Sequence, residues 1–223
     1  MKTSLRKLCA VFVIGGWLVT SGAHADDDKR FFEVTVTNLT QGEIFTPIMV
    51  ASHRPGIKIF ELGSTASTDL EILAESGDTQ SLSTALAASG ALDVVTADDV
   101  LLPGHSVTLF VQRNGRNNHV SVASMLVPTN DGFFALNGVR GPRNNQTRTL
   151  FSPAYDAGSE NNDELCAHIP GPPFICQGEG YNPQSGEGYV YIHPGIQGTG
   201  ELNAANHDWR NPVARITIRA VKN

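Results

Sequence analysis

Val213-Ala-Arg-Ile-Thr-Ile-Arg-Ala-Val221 alternates without interruption, with Ala214, Ile216, Ile218 and Ala220 on one face and Val213, Arg215, Thr217, Arg219 and Val221 on the other. Successive side chains of a strand point to opposite faces, so this stretch predicts a half-buried β-strand laid against an apolar core. Phe31-Phe-Glu-Val-Thr-Val-Thr37 repeats the pattern, with Phe32, Val34 and Val36 together. Further strands are predicted at 44–52, 106–113, 119–127, 132–136, 148–154 and 188–192. Pro47 marks the first of these as an edge strand or a bulge, because proline donates nothing to a ladder.

Residues 67–89 break the two-residue period. Leu70, Ile72 and Leu73, then Leu82, Ala85, Leu86 and Ala87, recur at helical spacing and predict two short helices. Ser67 or Thr68 caps the first, Glu71 completing a capping box with Thr68, and Asp78 or Thr79 caps the second. Gly77 and Gly90 mark their ends. About eight strands with one short helical insertion predict an all-β fold, an antiparallel β-sandwich with long functional loops. A doubly wound α/β fold needs a helix after nearly every strand, and the chain lacks them.

The amino terminus reads as an export signal. Lys2, Arg6 and Lys7 precede an apolar run over 8–19, and Ser21-Gly-Ala-His-Ala25 supplies a small-x-small cleavage pattern. The predicted organisation is a signal peptide over 1–25, an acidic leader over 26–30 and one domain over 31–223, secreted or periplasmic after cleavage. The apolar run falls short of a bilayer span of roughly 20 residues, and no later segment approaches one. The first 25 residues hold three of the 16 basic residues and none of the 22 acidic ones, so residues 26–223 carry 13 basic against 22 acidic residues, net −9. That balance argues against nucleic acid and anionic lipid as partners. In an oxidising compartment Cys166 and Cys176 are expected to pair, closing a Pro-rich loop.

Catalytic signatures are scarce: the chain has no HExxH, GxSxG, Walker or dinucleotide-binding glycine motif. Its most distinctive chemistry is oxygen-rich. Thr129-Asn-Asp-Gly132 joins two strands, and Tyr155-Asp-Ala-Gly-Ser-Glu-Asn-Asn-Asp-Glu164 sets Asp156, Glu160, Asp163 and Glu164 in a loop hinged at Gly158. Calcium takes six to eight oxygens from carboxylates, amides and turn carbonyls, which such a loop offers. A solvated acidic turn satisfies the same composition, and the residues alone leave both readings open. His168, His193 and His207 fall in the last third without the spacing of a zinc site. Trp209 is read either as a plug at the end of the sandwich or as a recognition residue beside Arg210. Asn38-Leu-Thr40 and Asn145-Gln-Thr147 match the glycosylation sequon.

Val120-Ser-Val-Ala-Ser-Met-Leu-Val-Pro-Thr-Asn-Asp-Gly-Phe-Phe-Ala-Leu-Asn137, followed by Asp156-Ala-Gly-Ser-Glu160, resembles the spondin domain, the amino-terminal module of F-spondin and mindin, and most of all its single-domain bacterial exported versions. The resemblance runs from about Phe31 to Val221. It implies a C2-like antiparallel sandwich, a calcium ion held by loops at one end, and extracellular recognition or adhesion without catalysis. Carried over by motif, the implied metal ligands are Asp131, Asp156 and Glu160, with Asn130 and turn carbonyls near Ser159 as extras. The implied partner is an extracellular or envelope protein or glycan. Phe133 and Phe134 stand where animal members favour Trp-Phe, and the 223 residues hold no thrombospondin repeat or reeler domain, so the partners of the animal proteins do not transfer. Two other readings compete: a secreted metal-dependent hydrolase using Asp131, Asp156 or His193, and a structural envelope protein whose acidic loops are only solvated.

Overall fold

The carboxy-terminal strand is the spine of one of two sheets. In the computed structural model, which describes residues 30–143, 146–183 and 186–222, β1 (Arg30–Asn38) pairs with the last strand, β11 (Ala214–Lys222), in antiparallel register from Arg30 opposite Lys222 to Asn38 opposite Ala214. β5 (Ser106–Arg113) flanks β1 and β8 (Thr147–Ser152) flanks β11, giving a four-stranded sheet of order β5-β1-β11-β8. The predicted alternation is realised, since Ala214, Ile216, Ile218 and Ala220 are buried while Arg215 and Arg219 are exposed.

The second sheet runs β10-β9-β7-β6-β3-β4, with the short β2 (Ile44–Phe45) also paired to β6. Its members are β3 (Met49–His53), β4 (Asp93–Thr96), β6 (His119–Val127), β7 (Gly132–Arg140), β9 (Ala154–Asp156) and β10 (Tyr191–Ile192). Between the sheets Phe32, Val34, Val36, Val111, Ile216 and Ile218 meet Phe45, Val50, Val122, Leu126 and Phe134 in the main core. The fold is thus the expected antiparallel sandwich, its count raised from about eight strands to eleven. Prolines account for two of the additions: Pro47 separates β2 from β3, and Pro153 separates β8 in one sheet from β9 in the other. The third, β4, lies in a short segment after the helices.

The helical insertion covers the outer face of the second sheet. α1 (Thr68–Ser76) and α2 (Gln80–Ala88) set Leu70, Leu73, Leu82 and Leu86 against Met49, Ala51, Ala123 and Phe133 in a second core. β6 and β7 are therefore apolar on both faces, which is why they read as near-continuous runs. The adjacent Phe133 and Phe134 serve one core each: Phe133 meets Phe60 edge to face and Tyr155 at a tilt, and Phe134 lies 4.5 Å from the ring of Phe45. The amino-terminal cap of α1 is Ser67, whose hydroxyl accepts from Leu70 N, and the helix ends on Gly77 at φ 71°. A short α3 (Ala204–His207), absent from the sequence reading, precedes the last strand.

The predicted signal peptide over 1–25, residues 26–29 of the predicted leader and the sequon residue Asn145 lie outside the described residues, and Arg30, read as the end of the leader, opens β1 instead. Asn38 of the other sequon is fully buried, its amide bonded to the carbonyls of Glu43 and Leu101. Among the described residues no helix is long and apolar enough to cross a membrane. Cys166 and Cys176 form a disulfide, as expected.

Candidate metal centre

Two turns at one end of the second sheet bring the central motifs together. β7 begins at Gly132, which pairs with Asp156 at the end of β9, and Asp156 pairs in turn with Tyr191 of β10. The turn before β7 is held by Thr129, whose hydroxyl donates to Leu126 O at 2.5 Å and accepts from Gly132 N at 3.0 Å. A β-carbon at Gly132 would stand 2.7 Å from Thr129 Oγ1 and 3.1 Å from the ring of His193, so only glycine lets these segments close.

This closure buries both aspartates completely. Asp131 Oδ2 accepts from Ser159 N at 2.8 Å, Glu160 N at 3.1 Å and the Ser159 hydroxyl at 3.3 Å. Asp131 Oδ1 is buried with no hydrogen-bond partner. Asp156 Oδ1 accepts from Gly158 N at 2.8 Å, and Oδ2 accepts from the Asn162 amide at 2.6 Å. Burial, and then the charge of Asp156, hold the Asp131 carboxyl well above the usual range despite the amides of Glu160 and Ser159. Burial lifts Asp156 to about 6, against the lowering bonds from Asn162 and Gly158. Two acids crowded out of water resist simultaneous ionisation, and a cation between them removes the conflict.

Glu160 faces a different neighbour. Its Oε2 is buried without a partner, and burial followed by the charge of Glu75 raises its carboxyl to about 8. Glu75, on α1, is 1% exposed; its Oε2 accepts from Asn182 N at 2.8 Å and its Oε1 has no partner. The Ser159 hydroxyl donates to Asp131 Oδ2, and burial raises the Glu75 carboxyl above its usual range. Sequence reasoning missed Glu75. Its signal was an acid between the apolar positions Leu73 and Ala74 and the helix end, on the face that meets the sheet.

The remaining acids brace loops. Asn130 accepts from Glu164 N and donates to Asp163 Oδ1, so both ends of its amide are engaged in hydrogen bonds. Asp163 Oδ2 bonds His168 at 2.6 Å, and Glu164 accepts from the amides of Gln197 and Thr199. His193 is buried with its Nε2 3.9 Å from Asp156 Oδ2. Gly195 N donates to His193 Nδ1 at 3.0 Å, which leaves the ring proton on Nε2. Burial pushes His193 down to about 4, so it stays neutral, its one lone pair already taken. Trp209 is 7% exposed and packs on His193 at 4.9 Å, which settles it as a plug; Arg210 pairs with Asp208.

Among the described residues no three His, Cys, Asp or Glu side chains converge as a ready-made metal cage. Three buried carboxylate oxygens of these loops and α1 nevertheless have no hydrogen-bond partner: Asp131 Oδ1, Glu75 Oε1 and Glu160 Oε2. All are hard carboxylate donors, the set that suits calcium, and the remaining oxygens would come from amides and turn carbonyls.

The Spondin_N family model matches residues 29–162, more than half of the chain and a span that includes Glu75, Asp131, Asp156 and Glu160 but not the disulfide, His193 or Trp209. No curated protein matches the chain.

Proposed function

The chain belongs to the Spondin_N family, and on that premise we propose that it is an exported, non-catalytic recognition module that binds calcium at the closed end of its second sheet. Asp131, Asp156 and Glu160 would hold the ion, with Glu75 as a fourth carboxylate and neighbouring carbonyls completing the shell; Asn130 acts behind them, positioning Asp163 and Glu164. Asp131 carries the reading. A fully buried carboxylate with one oxygen triply bonded and the other bare gains a partner for the bare oxygen when a cation arrives. Calcium would supply the positive charge that lets these acids ionise together, and it would tie the loop over 156–164 to α1. The partner would be an extracellular or envelope protein or glycan docking on that stiffened surface.

The hydrolase reading draws less support. Activating a metal-bound water needs a base with a free lone pair. His193 has its lone pair on Nδ1, filled by Gly195 N–H, and presents a proton toward Asp156 instead.

The direct test is calcium titration of chelator-treated protein and of Asp131→Asn, with magnesium in parallel. The reading expects saturable calcium binding, weaker binding of magnesium, and a loss of at least about tenfold in calcium affinity in the variant, as for removal of one charged ligand. Equal calcium binding by the two proteins, with both folded, would overturn it.

A further inference from the structure

At the opposite end of the sandwich the charge reverses. We propose that a cavity of about 170 Å³ between the β5–β6 turn and the end of β7, lined by Arg30, Arg113, Arg140 and Arg143 with Asn114 and Asn118, is a binding site for a phosphate or sulfate group. The site owes nothing to the calcium reading, and stands or falls without it.

The topology concentrates the cations. Arg30 opens β1, and its cross-strand neighbours are Arg113 at the end of β5 and Lys222 at the end of β11, three basic residues in one row. Arg140 ends β7, where Gly141 N donates to Asn118 O at 2.8 Å and draws the arginine-bearing strand end against the β5–β6 turn. Among the described residues no ion pair involves Arg113, Arg140 or Arg143, and no carboxylate lines the cavity. The one acid on the four-stranded sheet, Glu33, accepts from Nε and one terminal nitrogen of Arg219.

The floor is rigid. Arg113 lies over the ring of Phe32 at 5.2 Å and donates from Nε to Phe31 O at 3.2 Å. On the other side a β-carbon at Gly141 would stand 2.4 Å from Phe32 Cζ, so the main chain of the cavity wall rests on the same ring. Burial and the nearby Arg30 together lower the Arg113 guanidinium, the mark of a cation crowded by another cation. Guanidinium forks match tetrahedral oxyanions bidentately, and two side-chain amides beside them suit the same ligand. The net charge of −9 for residues 26–223 opposes long-range attraction to an anionic bilayer, so a soluble phosphate or sulfate group fits better than a lipid headgroup.

The test is titration of inorganic phosphate and sulfate at fixed ionic strength, followed by calorimetry, into the protein, the double variant Arg140→Gln/Arg143→Gln, and Arg215→Gln. Arg215 lies on the same sheet outside the cavity, so its variant separates local binding from net charge. The expected result is saturable binding of both anions, weakened about tenfold or more in the double variant and less than about twofold in Arg215→Gln. Vesicles of phosphatidylcholine with and without phosphatidylglycerol form the second arm. Vesicle binding that needs phosphatidylglycerol and is lost in the double variant would keep the phosphate chemistry and assign it to a headgroup. No saturable binding of either anion and no such vesicle binding, or equal loss in Arg215→Gln and the double variant, would overturn the proposal.

Discussion

The ring of His207 stands 3.5 Å from the carboxylate of Glu43, an acid that is fully buried and whose two oxygens have no hydrogen-bond donor. Burial pushes Glu43 up to about 7, partly offset by His207 and reinforced by the charge of Asp208. The folded state therefore holds a proton on Glu43 that the unfolded chain releases near pH 4.5. Stability from this group is complete below that pH and is lost as pH rises through about 7.

Glu43→Gln should flatten that slope. Unfolding in urea at pH 5, 7 and 9 should show little difference at pH 5 and a gain for the variant at pH 9, up to about 3 kcal/mol. Parallel stability profiles for the two proteins would show that the buried acid does not titrate in this window.

Reduction of Cys166–Cys176 should destabilise the protein modestly. The bridge closes a loop of sequence separation 10, short enough that its entropic contribution is somewhat under ~3 kcal/mol. For a domain of this size that corresponds to a fall of roughly 5–10 °C in unfolding temperature. Thermal unfolding with and without reductant measures it, and an unchanged midpoint would mean that the loop contacts carry the stability alone.

Gly158 should tolerate no side chain. It sits at φ 67°, and a β-carbon would come within 2.3 Å of Tyr189 O, inside the loop that carries Asp156 and Glu160. Gly56, at φ 92°, has nothing within 4 Å of that position. Gly56→Ala should cost about 1 kcal/mol, the backbone penalty alone, and Gly158→Ala clearly more. Equal unfolding temperatures for the two variants would refute the steric argument.

Much of this architecture was visible in residue patterns. The strands over 106–113 and 119–127 were read to the residue, because β5 alternates cleanly and β6 is a mostly apolar run, broken only by small serines, with turn residues at both ends. Pro47 and Pro153 each divide a predicted strand, and a proline shows that pairing is interrupted but not which sheet the next segment joins. The strand over 188–192 shrank to Tyr191–Ile192, since Val190 turns inward to pair with Ser64 O instead of extending the ladder. At the site, the Asn-Asp turn and the Asp-Ala-Gly-Ser-Glu segment were read from sequence, and the structure brings Asp131 against Asp156. The place of Glu75 on the buried face of α1 was signalled by Leu73 and Ala74, but its approach to Glu160 depends on how α1 docks on the sheet, a tertiary fact. The arginine cavity was masked by the net acidity of the chain, which averages over two ends of opposite charge.

The central claim is that Asp131, Asp156 and Glu160, with Glu75, hold calcium. The most direct measurement is the unfolding temperature of chelator-treated protein as calcium is added, because a ligand that binds only the native state raises stability with its concentration. The account predicts a saturable rise, close to 4 kcal/mol of added stability at a thousandfold excess over the dissociation constant, and a much smaller rise for Asp156→Asn. An unfolding temperature indifferent to calcium, in a protein that remains folded throughout, would contradict it.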